Sequence, residues 1–173
     1  RSPEKAAEMA RRFEREAKLV SQLRDPHTIT VYDFGKTADG LLYMVTEFID
    51  GQSLLNYIHD NGRIRPGIVA RMVSQILFSL LEAHQRGMLH RDIKPANVMV
   101  HDLPGRPTQI KLLDFGIAKA FDDDADTGDS MSMSLTAKGR VIGSPGYMSP
   151  EQIYGQELGP ESDIYSLGLV AYE

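Results

Sequence analysis

The 173-residue chain contains no cysteine and no tryptophan. Without cysteine there is no thiol catalysis, no cystine staple and no thiolate-held metal, while the compartment stays open. Charge of one sign is also scarce. Nineteen basic residues against 24 acidic ones leave −5, a balance that argues against nucleic acid as the main partner. No run approaches the roughly 20 apolar residues of a membrane span. Residues 1–15 lack the apolar core of a signal peptide, so no membrane contact is expected from this segment. Gly35-Lys36-Thr37 lacks the upstream glycine of a phosphate-binding P-loop, because Thr30 stands in its place. Internal repeats are absent as well. What remains is 42% hydrophobic and 25% charged, close to the globular average, which excludes wholesale disorder and collagen-like chains.

Asp122, Asp123, Asp124, Asp126 and Asp129 share one stretch without Lys or Arg, and those five charges equal the whole excess of 24 over 19. The chain begins at Arg1 rather than Met and stops at Glu173 inside an apolar, helix-like run, so both ends read as cut. Periodicity predicts a helix over 4–23, with Met9, Phe13, Ala17, Val20 and Leu23 on one face, closed by Asp25-Pro26. Strands follow over 29–34 and 41–49, joined by a turn at Ala38-Asp39-Gly40. A short helix is expected over 53–59 and a long one over 65–87, with Gly87 as its C-terminal cap. Short β-like runs at 97–100 and 109–113 flank Pro104-Gly105. Residues 121–138 are polar and aperiodic and read as a loop, and a further helix begins at Ser162.

The chemistry is concentrated after the long helix, in His90-Arg91-Asp92-Ile93-Lys94-Pro95-Ala96-Asn97. Asp114-Phe115-Gly116 follows Asp92 by 22 residues, and Ser149-Pro150-Glu151 comes later. A carboxylate able to orient a hydroxyl and take its proton (Asp92), a nearby point charge (Lys94), and a carboxylate-amide pair of hard oxygen ligands (Asp114, Asn97) are what phosphoryl transfer needs. Asp33-Phe34-Gly35 repeats the second motif, but it precedes the Asp92 loop and enters a strand-turn-strand, so we read it as a hairpin shoulder without a metal role.

The three motifs in this order resemble the catalytic domain of serine/threonine protein kinases, and 141–152 with 165–168 resembles its bacterial members in particular. The resemblance implies an α+β, two-lobed protein-kinase-like fold, truncated, with residues 1–49 as a remnant of the N-lobe and hinge. Residues 50–173 would form the C-lobe through the activation segment and the start of the central helix. It implies ATP and Mg²⁺ (Mn²⁺ as a substitute ion) as cofactors, and a protein Ser/Thr hydroxyl as acceptor in cytoplasmic signalling. By the same match Asp92 and Lys94 are catalytic, Asn97 and Asp114 hold metal, and His90, Phe115 and Gly116 complete the two motifs. Thr46 would be the gatekeeper, the Glu47 carbonyl and Ile49 amide would bond adenine, Ser53 would meet the ribose and Met99 the base.

Glu16 is the helix carboxylate that would pair with a strand lysine, chosen over Glu14 and Glu8 by spacing to Pro26. Ser144 would bond Asp92 and Lys94, Glu151 closes the segment that receives the protein substrate, and Asp163 would brace the catalytic loop. Arg91 beside Asp92 implies switching by phosphate in the acidic loop, with Thr136 favoured over Thr127, Ser130, Ser132 and Ser134. The glycine-rich loop and strand lysine of the family are missing before Glu16. The isolated chain is therefore expected to be a poorly stable, nearly inactive fragment. A pseudokinase or nucleotide-binding scaffold is the competing reading, and a small-molecule kinase is disfavoured by Lys94 and the 144–151 segment.

Overall fold

The structure, a computed structural model, describes residues 3–101, 105, 107–115 and 145–173. Helix α1 (Pro3–Val20) lays Phe13, Ala17 and Val20, all buried, on a two-stranded antiparallel hairpin, β1 (Val31–Lys36) and β2 (Leu42–Thr46). A bulge between Val31 and Asp33 shifts the register, after which Phe34 faces Met44 and Gly35 faces Tyr43. Asp33, Phe34 and Gly35 thus lie inside β1. The expected second strand is shorter than its apolar run, because backbone pairing ends with Glu47 N–H donating to Thr30 O at 2.9 Å. Phe48 beyond it is 91% exposed.

A second sheet, β3 (Gln52–Ser53), β4 (Val98–His101) and β5 (Gln109–Leu112), is antiparallel in the order β3-β4-β5. Gly51 enters it with no room for a side chain, since a Cβ there would stand 2.3 Å from the Val100 carbonyl oxygen. Ser53 caps α2 (Leu54–Asn61), its Oγ accepting from Asn56 N at 3.2 Å.

The long α3 (Pro66–Gln85) has Pro at its start and closes in a Schellman motif. Gly87 at φ 71 donates to His84 O, and Met88 N to Ala83 O, both at 2.9 Å. Its buried stripe, Met72, Ile76, Leu80 and Ala83, includes Gln75 and Ser79. Gln75 meets β5 with both amide atoms, donating to Thr108 O (3.0 Å) and accepting from Ile110 N (2.8 Å). Among the described residues this one helix is long and apolar enough by mean hydropathy (1.2) to cross a membrane, although Arg71, Gln75 and Glu82 interrupt its apolar run. Here the stripe packs on β5 and on α5 (Pro160–Tyr172). The expected apolar face of α5 is partly polar: Ser162, Asp163 and Ser166 are buried with Leu167 and Val170, while Ile164 is 46% exposed. Between them lies α4 (Pro150–Ile153), after a 3₁₀ turn at Pro145–Tyr147.

Two devices join the upper hairpin to the lower helices. Leu112 pairs with the incoming chain, Ile29 N to Leu112 O at 3.0 Å and Leu112 N to His27 O at 2.7 Å. On α3, Glu82 Oε2 accepts from Arg24 N (2.8 Å) and Asp25 N (2.7 Å), while Oε1 accepts from Arg86 at 3.0 Å. Burial pushes this carboxyl upward, but the two amide bonds and Arg86 outweigh it and hold Glu82 below the usual carboxylate range. Its contribution is therefore present above about pH 4.3 and lost as pH falls through that range. Glu82→Ala in the full-length protein is expected to lower stability by about 1–3 kcal/mol, and Glu82→Gln, which keeps an acceptor, by less. Unfolding midpoints check this, and an alanine variant as stable as the wild type would contradict it.

Candidate active site

The residues from His90 to Asn97 leave α3 as a tight loop, pass through a 3₁₀ turn at Pro95–Asn97 and enter β4. Arg91 sits at φ 66, a left-handed conformation that costs on the order of 1–3 kcal/mol in a branched-chain environment without compensation. The compensation is visible. Asp163, 1% exposed at the start of α5, accepts from His90 N through Oδ2 and from Arg91 N through Oδ1, each at 2.8 Å. His84 Nε2 on α3 also reaches Oδ2 at 2.8 Å, and because a carboxylate only accepts, that nitrogen carries the proton.

His90 is fully buried, its ring 4.7 Å from that of Phe115 and tilted by 49°. Its Nε2 lies 2.7 Å from the Leu113 carbonyl and must donate, while Nδ1 accepts from Asp92 N at 3.3 Å. The neutral tautomer thus satisfies both neighbours. Burial pushes the His90 pKa down, and the opposing pull of Asp163, the Leu113 carbonyl, Asp92 and Asp114 does not reverse it.

Asp92 is fixed at its Oδ2, which accepts from Lys94 Nζ at 2.7 Å and from Asn97 Nδ2 at 3.0 Å. Asn97 Nδ2 also donates to the Asp92 carbonyl at 2.9 Å. Both partners are acceptors, so the amide orientation is dictated and Asn97 Oδ1 faces away from them. Leu113 N donates to Asn97 O at 2.8 Å, which brings the end of β5 beside Asn97 just before Asp114. Asp114 is exposed and left-handed, φ 53, a conformation Asp tolerates. Among the described residues no group of three His, Cys, Asp or Glu side chains clusters to hold a metal. One carboxylate and one amide oxygen nevertheless suit Mg²⁺, which keeps several waters and takes phosphate oxygens.

At the hinge, Thr46 ends β2 and Glu47 and Ile49 follow it, both half-buried. Among the described residues neither the Glu47 carbonyl nor the Ile49 amide has a hydrogen-bond partner, which suits an adenine edge. Ser53 and Met99 are opposite each other in the β3–β4 register. Ser53 Oγ is engaged as the α2 cap. The Glu47 side chain was not singled out by the sequence: it accepts from Thr30 N (2.8 Å) and Lys111 Nζ (2.6 Å), and Lys111 also reaches Thr28 O at 3.3 Å. Burial works to raise this carboxyl, yet the Lys111 and Thr30 bonds together hold it low.

On the far side, Ser149 and Gln152 form a capping box at α4. Ser162 Oγ donates to Glu151 Oε1 at 2.5 Å, the leading cause that holds Glu151 below the carboxylate range. Tyr147 donates to Glu173, and burial with that bond pushes the phenol up to about 12. Glu16 is half-buried on α1 and forms no ion pair among the described residues. Gly116, Thr136 and Ser144 lie outside the described residues, as does the acidic stretch. Gln152, Lys111 and Glu82 are the residues sequence reasoning missed; only Gln152 left a signal, the Ser-x-x-Gln of a capping box.

The model of the protein kinase domain family matches residues 1–173. The chain is 44% identical over 162 residues to the serine/threonine-protein kinase pkn3 of Myxococcus xanthus, covering 94% of this chain and 29% of that protein. It is 41% identical over 165 residues to PknB of Mycolicibacterium smegmatis, covering 94% and 25%. A mutant form of the Mycobacterium tuberculosis PknI kinase domain superposes with a TM-score of 0.70 at 32% identity, over 98% of this chain and 59% of that one. The chain thus spans less than a third of the length of these curated relatives.

Protonating His90 would set an N–H against Asp92 N–H, so the fold binds fewer protons here than the unfolded chain. Stability is full above about pH 6.5 and falls as pH drops through that value. His90→Phe, which keeps a ring against Phe115, is expected to flatten the slope between pH 7 and 5.5 in unfolding midpoints of the full-length protein. An unchanged slope would contradict the assignment.

Proposed function

Since the chain belongs to the protein kinase domain family and is related to its bacterial serine/threonine members, we propose that the protein carrying it transfers the γ-phosphate of ATP to Ser or Thr hydroxyls of protein substrates, on the cytoplasmic side where ATP is supplied. ATP and Mg²⁺ use is a general property of that family. The observation that carries the reading is the Asp92 carboxylate clamped at one oxygen by Lys94 at 2.7 Å and Asn97 at 3.0 Å, next to a Phe115-anchored Asp114.

In this reading Asp92 orients the acceptor hydroxyl and takes its proton as the new bond forms. Lys94, already paired to Asp92, lies where its charge also offsets that of the transferring group. Asn97 Oδ1 and Asp114 hold Mg²⁺, which supplies neutralisation of phosphate charge. Glu47 O and Ile49 N receive the adenine edge, with Thr46, Ser53 and Met99 around it. The segment from Val141 to Glu151 receives the protein substrate. Glu16 is the carboxylate that would pair with the family's strand lysine, and phosphate on Thr136 would dock to Arg91.

The test is phosphate transfer from ATP to a mixed Ser/Thr peptide library by the full-length protein. Asp92→Asn is expected to lose about 100-fold or more in kcat while retaining ATP binding. Nucleotide binding without transfer by the wild type would favour the scaffold reading instead, and equal activity in the two proteins would exclude Asp92 as the base.

A further inference from the structure

One side chain on α4 reaches the catalytic loop directly. Gln152 Oε1 accepts from Ser149 N at 3.0 Å, closing the capping box whose other half is Gln152 N donating to Ser149 Oγ at 3.4 Å. The same side chain's Nε2 donates to the Arg91 carbonyl at 2.8 Å. That carbonyl belongs to the peptide whose N–H is Asp92 N, which is bonded in turn to His90 Nδ1 at 3.3 Å. The Arg91–Asp92 peptide is therefore held at both poles, by Gln152 on one side and His90 on the other. Just upstream, Asp163 takes Arg91 N at 2.8 Å. Rotation of this one peptide swings the Asp92 side chain, and it follows a residue already in a strained left-handed conformation.

The chemistry of the position is selective. Only a side chain with an acceptor and a donor at one terminus can close the cap and also bond a carbonyl, and a primary amide has both. Glu would serve the cap equally well, but as a carboxylate it has no proton for Arg91 O and would set oxygen against oxygen.

We propose that Gln152 is a positioning residue for Asp92, fastening α4, and with it the substrate-side segment from Pro145 to Glu151, to the peptide that aims the base. This rests on the kinase reading above. Its consequence is that seating of the substrate segment and orientation of Asp92 are one mechanical unit, with Ser149, 0% exposed, as the buried pivot.

The experiment measures kcat and both KM values of the full-length wild type, Gln152→Glu and Gln156→Ala on the same peptide library at pH 8. At pH 8 Gln152→Glu is expected to lose about tenfold or more in kcat, as misplacement of a catalytic group costs, with the KM for ATP within about twofold. Gln156→Ala, at an exposed position beyond α4, should stay within about threefold of wild type. Should Gln152→Glu fail to fold, Gln152→Met, near in shape without either polar atom, should show the same loss in kcat with the KM for ATP within about twofold. An active wild type with Gln152→Glu unchanged in kcat at pH 8, or a loss matched by Gln156→Ala, overturns this proposal alone. An inactive wild type overturns the kinase reading and this proposal together.

Discussion

A carboxylate at 1% exposure would be costly to bury unpaired, and the placement of Asp163 shows what offsets that cost. Its two oxygens receive three donors from two different elements: His84 on α3 and the backbone N–H groups of His90 and Arg91. The backbone there cannot form regular secondary structure, because Arg91 is left-handed, so without Asp163 two amides would be left inside the protein with no partner. The His90 and Arg91 amides of this loop are thus held from below by α5.

The rest of the site is arranged around that support. His90, kept neutral by burial, spans from Asp92 N to the Leu113 carbonyl and packs on Phe115, so the loop and the end of β5 move together. Asn97 locks Asp92 and takes the next amide of β5. Glu82 ties α3 to the turn after α1, and Glu47 with Lys111 ties the hinge to β5. The same principle recurs in each case: a side chain with acceptor capacity satisfies backbone groups where the chain changes direction, and the chemistry sits where these ties converge.

Much of this was legible in the sequence because the residues proposed to do the chemistry lie close together along the chain. Asp92, Lys94 and Asn97 share one loop, so their spacing alone brings them into contact. Gly87 announced the end of α3, and the hairpin turn at Gly40 announced β1–β2. The illegible parts depend on tertiary approach. The run from 41 to 49 looks like one strand because Phe48 and Ile49 are apolar, yet backbone partners end at Glu47. The face of α5 was expected to be apolar, but Ser162 and Asp163 are buried on it because their partners lie 11 to 79 positions away in the chain. Glu82 and Lys111 look like ordinary surface charges in sequence, since what they bind is backbone of distant segments.

The central claim is that Asp163 holds the loop from His90 to Asn97 in the conformation that brings Lys94 and Asn97 onto Asp92, and amide hydrogen exchange of the full-length protein carrying Asp163→Asn tests it most directly. Asparagine retains one oxygen and turns an N–H toward the second amide. The account predicts faster exchange at His90, Arg91 and Asp92, unchanged protection in the middle of α3, and loss of phosphate transfer. Wild-type protection at those three amides in an active variant would contradict it.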